Sequence, residues 1–264
     1  MNTFRPNYYD DFKCIADACK HTCCAGWEID VDEDSMEVYD DIPYIKKHIK
    51  DSSFILEGPS ERCPFLLENG LCDLILKYGE DILCDICTDH PRFRNYEGDN
   101  EYLGLGLCCE AACDLILNRE DKFSLIPETK LPYGIDWAND YPGKISDALR
   151  ELASDDKTCA ERVDLYLNFE ILDQYWDELL RGLEFEPVEK SIRDEVIDDH
   201  PRLFRNLMIY LLYRHKGNRQ YVAQSCWLIA ELCANTGLPL VDLCRMYSAE
   251  VEYSDINNET MENL

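Results

Sequence analysis

The feature that most constrains this chain is the concentration of cysteines in its first part. Eleven of its fifteen cysteines lie within the first 113 of 264 residues. They are Cys14, Cys19, Cys23, Cys24, Cys63, Cys72, Cys84, Cys87, Cys108, Cys109 and Cys113. A folded core needs only a few cysteines as small apolar residues, so this density at short spacings indicates metal ligation or a disulfide framework.

The cellular compartment suggested by the sequence favours metal over disulfides. Residues 1–13 contain no apolar run typical of a secretory signal, and no stretch reaches the roughly 20 apolar residues of a membrane span. We therefore expect a cytoplasmic protein, where thiols stay reduced and disulfides are rare. A disulfide framework is the alternative if the natural protein carries a signal that is later removed.

The spacing of the cysteines bears on the kind of metal. Cys19 and Cys23 are four residues apart, so a helical turn or tight loop can place both sulfurs on one side. Cys23 and Cys24 are neighbours whose side chains diverge, so one centre would not easily take both. Soft thiolates select iron–sulfur clusters, zinc or copper(I). Zinc favours two Cys-x2-Cys pairs, of which only Cys84-x2-Cys87 is present, so an iron–sulfur cluster is favoured and zinc is the alternative.

The charge of the chain bears on its partners. Asp and Glu number 54 against 26 Lys and Arg, which gives a formal net charge of −28. Such a field repels nucleic acid and anionic membranes and attracts a basic protein. We predict a partner with accessible lysines, and neither nucleic acid nor membrane. The alternative is that the acidic residues serve solubility alone.

Periodicity and turn signals predict a mainly α fold. We expect an irregular cysteine-rich metal-binding domain at 1–126 with a small β-hairpin, a linker at 127–143 and a helical domain at 144–264. The hairpin is predicted over 63–75, around the turn signal Asn69-Gly70.

Individual elements follow from the same signals. Helices are predicted over 31–50, 81–88, 109–118, 221–234 and 240–251, with a helical repeat from 165 to 180 and a helix beginning at Pro201. A short strand is predicted over 102–107, and a frayed acidic tail after 251. The remaining cysteines stand at helical core positions: Cys159, Cys226, Cys233 and Cys244.

The cysteine motifs resemble those of the flagellin lysine N-methylases. The resemblance is carried by Cys14-x4-Cys19-x3-Cys23-Cys24-x2-Trp27, Cys63-Pro64-Phe65-Leu66 with Leu71-Cys72, Cys87-x2-His90-Pro91-Arg92, and Leu107-Cys108. It extends more weakly to Asn206-Leu207 with Tyr210 and to Tyr247-Ser248 with Glu252-Tyr253-Ser254. A wider set of short zinc- or iron-chelating domain proteins is similar in the cysteine-rich part.

The resemblance implies one or two [4Fe–4S] clusters and methyl transfer from S-adenosylmethionine to lysine side chains. Its cysteines are Cys14, Cys19, Cys23, Cys24, Cys63, Cys72, Cys87 and Cys108, and eight ligands would suffice for two four-ligand centres. Cys84, Cys109 and Cys113 are extra to the family pattern. Flagellin is one candidate substrate.

The sequence lacks the common binding motifs for S-adenosylmethionine, the methyl donor that the resemblance implies. There is no Gly-rich fingerprint between a strand and a helix, since Gly104-x-Gly106 lacks the rest of the motif, so an ordinary Rossmann methyltransferase is not favoured. The radical-type Cys-x3-Cys-x2-Cys spacing is also absent, because Gly26 stands in the third position. A cluster iron with an open position could chelate S-adenosylmethionine.

Four further residues are candidates for contacting S-adenosylmethionine. Arg92 and Arg94 could bind a carboxylate in a bidentate manner, with salt bridging as the alternative. Trp27 and Tyr102 could contact the sulfonium or a lysine by cation–π interaction, with core packing as the alternative. The cysteine pattern and the resemblance together thus imply an iron–sulfur-dependent lysine N-methyltransferase. The alternative is a non-catalytic chelating module that binds a partner protein.

Overall fold

The computed structural model describes residues 1–263, and the protein is mainly helical, with 52% helix and 11% strand. The predicted mainly α class is therefore confirmed. Contacts divide the chain into two compact units, residues 13–93 and residues 1–12 together with 94–264. We call them the cysteine unit and the helical unit. The bounds of these units differ from those of the predicted domains, 1–126 and 144–264. The predicted division into domains stays a prediction.

The regular elements are short in the cysteine unit and longer in the helical unit. The strands are β1 (Asn2–Pro6), β2 (Ile49–Lys50), β3 (Ser53–Phe54), β4 (Arg92–Glu97), β5 (Asn100–Leu105) and β6 (Leu125–Ile126). The α-helices are α1 (Glu33–Asp40), α2 (Pro43–Lys46), α3 (Asp73–Tyr78), α4 (Asp85–Asp89), α5 (Glu110–Leu117), α6 (Ile135–Asp140), α7 (Ile145–Leu152), α8 (Cys159–Leu167), α9 (Gln174–Phe185), α10 (Lys190–Asp199), α11 (Pro201–Arg214), α12 (Arg219–Thr236), α13 (Leu240–Tyr247) and α14 (Asp255–Glu262). None of the helices in residues 1–263 combines the length and apolar character that crossing a bilayer requires.

The helix predicted over 31–50 is two helices followed by a strand. The Asp32 carboxylate accepts the Ser35 N–H at 2.8 Å and so caps α1, as expected for an acid at this position. The helix ends at Asp40 because Pro43 forces Ile42 into an extended conformation and then begins α2.

The hairpin predicted over 63–75 is correct only at its turn. Gly70 has φ +82° and donates its N–H to the Leu67 carbonyl at 3.0 Å, as the Asn69-Gly70 signal indicates. The flanking strands are reduced to one antiparallel bridge between Leu66 and Cys72. The prediction fails on the far side because Asp73 begins α3, where an acid favours the first helical turn.

The helical unit contains a four-stranded sheet in the order β4-β5-β1-β6. Strand β1 runs parallel to β5, with Asn2 opposite Asn100, and antiparallel to β6. The strand predicted over 102–107 is β5, two residues earlier than expected.

Helix α12 is the centre of the helical unit and is buried from Tyr221 to Leu232. It packs against α7, α8, α9, α10, α11 and α13. Pro201 begins α11 and Gly237, at φ +69°, ends α12, as predicted. The helical repeat expected from 165 to 180 is interrupted, since α8 ends at Leu167 and α9 begins only after its cap Asp173.

The expectation of a frayed acidic tail is wrong. Residues Ser248–Glu252 form a π-helical turn, and α14 follows it with a buried Met261. Asn257 is also buried and donates to the carbonyls of Glu170 at 2.8 Å and Glu250 at 2.9 Å. These contacts hold the segment against the rest of the helical unit.

Candidate functional site

Five cysteines of the cysteine unit converge on one apolar core, and we call them the thiol cluster: Cys24, Cys63, Cys72, Cys84 and Cys87. Cys84 is fully buried and Cys63 is 8% exposed, while the other three are partly buried against the same core. Backbone contacts bring the segments together. The Cys63 N–H donates to the Cys24 carbonyl at 2.8 Å, and the Cys87 N–H donates to the Cys84 carbonyl at 3.1 Å.

Backbone N–H groups act on the pKa of three of these thiols. Burial raises the pKa of Cys63 and of Cys72, and the N–H of Phe65 opposes this at Cys63, as those of Leu74 and Ile75 do at Cys72. The N–H of Cys87 contributes to lowering the pKa of Cys84. N–H groups near a sulfur stabilise its thiolate and are typical of the surroundings of metal-bound cysteines.

Two pairs of cysteines influence each other's pKa: Cys84 with Cys87 in the thiol cluster, and Cys24 with its neighbour Cys23, which lies outside the cluster. The Cys23 thiol lowers the pKa of Cys24 to about 6, although burial opposes this. The neighbouring Cys87 lowers the pKa of Cys84, while Cys84 and burial raise the pKa of Cys87. The thiolate is the form of cysteine that binds a soft metal.

Burial acts in the opposite direction on the rest of the cluster. It raises the pKa of Cys63 to about 12, and it also raises the pKa of Cys72. These thiols are neutral unless a cation compensates for the cost of a buried charge. A metal ion supplies that compensation, because coordination deprotonates a thiol outright.

The donor set fits a soft metal or an iron–sulfur cluster in its chemistry, since it consists of thiols. The positions of the side chains do not form a metal site, because no group of three or more His, Cys, Asp or Glu side chains in residues 1–263 is arranged to hold a metal ion. All fifteen cysteines are free thiols. Metal binding therefore stays a prediction.

The expected ligands fall into different surroundings. Cys24, Cys63, Cys72 and Cys87 are in the thiol cluster, whereas Cys108 lies in the helical unit. The others precede the cluster along the chain: Cys14 and Cys23 are exposed, and Cys19 is partly buried. The sequence argument missed the central place of Cys84, although its Cys-x2-Cys spacing to Cys87 was the signal that could have found it.

Cys108, which is partly buried, belongs to a polar constellation of the helical unit. Its pKa is raised to about 12 by burial, against the influence of the Tyr253 hydroxyl, which donates to its sulfur, and of Arg214. Gly106 makes this possible, because a Cβ there would overlap the Tyr253 hydroxyl oxygen.

Glu252 anchors the same constellation. Its fully buried carboxylate accepts from the Tyr210 hydroxyl at 2.9 Å, lies 2.7 Å from Nε2 of His215 and pairs with Nε of Arg214 at 3.2 Å. The π-helical turn that ends at Glu252 directs this residue inward, and such turns are frequent at functional sites. Tyr210, Glu252 and Tyr253 also carry part of the family resemblance, so the fold brings these separate motif residues together.

The other cysteines of the helical unit lie mostly in its core. Cys226 and Cys244 are fully buried and Cys159 is 5% exposed, which confirms their prediction as core residues. Cys233 is only partly buried, with its thiol donating to the Leu238 carbonyl at 3.6 Å. Cys113 is buried and its thiol donates to the Val241 carbonyl at 3.4 Å.

Two residues expected to contact the methyl donor lie in the cysteine unit. The indole N–H of Trp27 donates to the Cys23 carbonyl at 2.5 Å, and its ring lies 5.8 Å from that of His90. Burial lowers the pKa of His90 to about 4, so this imidazole is neutral at neutral pH. Arg92 donates from Nη1 to the Thr88 carbonyl at 3.0 Å.

The other two residues expected to contact the methyl donor, Arg94 and Tyr102, lie in the helical unit. Nε of Arg94 is 3.8 Å from a carboxylate oxygen of Glu101, which is the salt bridge considered as the alternative. The Tyr102 ring is 7% exposed and stacks on Phe4 at 5.5 Å, which corresponds to core packing. A role of any of the four in binding S-adenosylmethionine stays a prediction.

Fold and site together define a mainly helical, cysteine-rich protein whose cysteine unit contains a cluster of reduced thiols. Over about half of its length, the chain is similar to proteins named Lysine-N-methylase and Flagellar biosynthetic protein FliU. It is 26% identical over 153 residues to proteins named Lysine-N-methylase of Salmonella choleraesuis strain SC-B67 and Salmonella typhimurium strain LT2. It is 28% identical over 134 residues to the Flagellar biosynthetic protein FliU of Salmonella muenchen.

The extent of these matches differs between the relatives. The match covers 53% of this chain but only 38% of the two Lysine-N-methylases. For the FliU protein it covers 46% of this chain and 79% of the relative. No protein-family model and no solved structure matches the chain.

Proposed function

We propose that this protein is a protein lysine N-methyltransferase that depends on an iron–sulfur cluster and uses S-adenosylmethionine as methyl donor. The proposal rests on the relationship to proteins named Lysine-N-methylase. The observation that carries its metal part is the convergence of five cysteines on one core of the cysteine unit. A thiol set of this size exceeds what packing alone requires.

Two groups of cysteines would hold clusters. The family-type members of the thiol cluster would bind one centre with four thiolates: Cys24, Cys63, Cys72 and Cys87. Cys14, Cys19 and Cys23 would bind a second centre with three. When bound, a cluster with three thiolates supplies an iron with an open position at which S-adenosylmethionine can be chelated.

The substrate must present a neutral amine, because the nitrogen lone pair attacks the methyl carbon as the bond from that carbon to sulfur breaks. A free lysine has a pKa near 10.4, so its proton must first pass to a base or be lost on desolvation. The acidic surface, with 54 acids against 26 bases, would concentrate a lysine-rich substrate near the protein. The FliU name of one relative makes a flagellar protein such as flagellin the first candidate to try.

The test begins with protein purified without oxygen. It should be brown, contain iron and acid-labile sulfide in near-equal amounts, bind S-adenosylmethionine in calorimetry and transfer a labelled methyl group to lysines of flagellin. Cys19→Ser should lose S-adenosylmethionine binding, because a hydroxyl is a poor substitute for a soft thiolate. Cys226→Ser is the matched control, since this thiol is fully buried in the helical unit and should not affect binding.

Two results would contradict the proposal. A colourless protein with stoichiometric zinc would exclude the iron–sulfur cluster. A cluster-loaded protein that binds no S-adenosylmethionine would exclude the methyltransferase and leave the second candidate, a non-catalytic chelating module. The thiol cluster favours the chelating module as this second candidate, because metal binding by thiols requires no catalytic step.

A further inference from the structure

Four apolar side chains of the helical unit are exposed on two segments, and we call them the apolar patch: Ile171, Leu172, Tyr175 and Ile256. Ile171 and Leu172 are each 52% exposed, Tyr175 is 47% exposed and Ile256 is 61% exposed. The first three fall in a run of six consecutive exposed residues, 170–175. Single exposed apolar residues are normal at a protein surface, whereas a group of them marks an interaction site.

Buried polar groups hold the two segments of the patch together. The Glu250 carboxylate is 3% exposed and accepts the N–H groups of Leu172 at 2.7 Å and Asp173 at 2.9 Å. The fully buried Asn257 side chain accepts the Glu170 N–H at 2.8 Å and donates to the Glu170 carbonyl at 2.8 Å. A buried carboxylate is costly to the fold, and burial raises the pKa of Glu250 to about 7. This loop is therefore fixed with its apolar side chains exposed, at a cost in stability that is typical of functional sites.

The two segments that carry the patch are acidic. Residues 164–180 contain five acids and residues 250–262 another five, and neither range contains Lys or Arg. The next base along the chain, Arg181, pairs with Asp177 at 2.7 Å. Three of the acids are exposed and directly adjoin members of the patch in the sequence: Glu170, Asp173 and Asp255. A partner that fits this surface therefore carries apolar side chains and positive charges together.

We propose that the apolar patch is a docking surface for an amphipathic, lysine-rich segment of a protein partner. Apolar residues of that segment pack on Ile171, Leu172 and Ile256, and its lysines reach the surrounding carboxylates while their methylene stems cover apolar surface. A second copy of the chain and an anionic membrane are disfavoured as occupants, because each brings negative charge against negative charge. The identity of this partner as the methylated protein rests on the proposed function, whereas the location of the surface does not.

The first test measures binding of a synthetic amphipathic peptide of leucine and lysine to the full-length chain by fluorescence anisotropy. Ile171→Ser combined with Leu172→Ser should weaken binding about tenfold or more, because loss of apolar anchors from an interface has effects of this size. Phe185→Ser is the matched control and should not change binding. This side chain is 85% exposed but lies at the other end of α9, about 15 Å from Tyr175 along the helix axis. Equal binding by a folded double variant, or equal binding of a peptide with glutamate in place of lysine, would overturn the proposal.

A second measurement uses the wild type and does not depend on the folding of variants. In hydroxyl-radical footprinting, the bound peptide should lower the oxidation of Leu172 and Tyr175 and leave that of Phe185 unchanged, and the reverse pattern would refute the proposal. Binding of phosphatidylcholine vesicles, or self-association, that is lost in the double variant would also overturn it, in favour of a membrane or a second copy.

Turnover separates this inference from the proposed function. With flagellin as substrate, the double variant should raise KM and leave kcat and S-adenosylmethionine binding unchanged, because docking acts on substrate binding and not on the chemical step. If the wild type methylates flagellin and the double variant has the same KM, only this inference fails. If the peptide protects the patch but no methyl group is transferred, only the methyltransferase fails.

Discussion

The buried ion pair between Arg162 of α8 and Glu231 of α12 gives a prediction whose size follows from its geometry. Both side chains are 0% exposed, with Nε of Arg162 2.9 Å from Oε2 of Glu231 and Nη2 3.3 Å from Oε1. Arg162 also donates to the Lys157 carbonyl at 2.9 Å and to the Gln224 side chain. Burial raises the pKa of Glu231 and Arg162 opposes this, so each charge depends on the other.

Removing Glu231 leaves the buried Arg162 with only the more distant carboxylate of Asp156, 3.7 Å from Nη2, to balance its charge. Glu231→Leu should reduce the free energy of unfolding by about 3–5 kcal/mol, because the guanidinium of Arg162 cannot lose its charge. For a chain in this size range that corresponds to a fall in Tm of about 6–20 °C. Arg162→Met should cost less, because the carboxyl of Glu231 can take up a proton. The double variant should be more stable than the sum of the single losses implies.

Urea and thermal unfolding followed by circular dichroism measure all three variants. Arg202→Met is the control: its partner is Glu120 at 2.9 Å, both are exposed, and its loss should be below about 1 kcal/mol. Strictly additive losses in the double variant, or a loss in Glu231→Leu no larger than in the control, would refute the reasoning.

Two further predictions concern the helical unit. Gly106→Ala should reduce the free energy of unfolding by about 1–3 kcal/mol, because the new methyl group overlaps the Tyr253 hydroxyl. Adding Tyr253→Phe should recover part of that loss in urea unfolding, and a double variant no better than the single one would argue against the clash. Burial raises the pKa of the Glu250 carboxyl from its ordinary 4.5 to about 7, so the folded protein binds this proton more tightly than the unfolded chain. Wild-type stability should therefore fall relative to Glu250→Gln as pH rises from about 4.5 to about 7, and a difference that does not change with pH in urea unfolding would contradict this.

Local signals predicted local structure. The Asp32 cap, the Asn69-Gly70 turn, the start of α11 at Pro201 and the end of α12 at Gly237 each depend on a few neighbouring residues, so the sequence reveals them. The α14 helix was missed because its stability depends on contacts of Asn257 with Glu170 and Glu250, which a local pattern does not show. Strand β1 was missed for the same reason, since its partner is far along the chain.

The sequence predicted the kind of chemistry at the candidate site but not which residues form it. Cysteine density pointed to thiol chemistry, and four expected ligands do share the thiol cluster. Spacing could not show that Cys84 is fully buried beside Cys63, because the two are brought together by folding of distant segments. The constellation of Tyr210, Glu252 and Tyr253 also depends on long-range packing, and the sequence gives only its separate pieces.

The parallel pairing of β1 with β5 affects the order in which a growing chain can fold. Asn2 faces Asn100, 98 residues later, and the whole cysteine unit lies between them. During synthesis β1 leaves the ribosome before the cysteine unit, and it cannot pair with β5 until residues 100–105 have followed. The cysteine unit can therefore collapse before β1 and β5 pair. The cysteine unit would then be an early compact intermediate, formed before the long-range strand pairing of the helical unit.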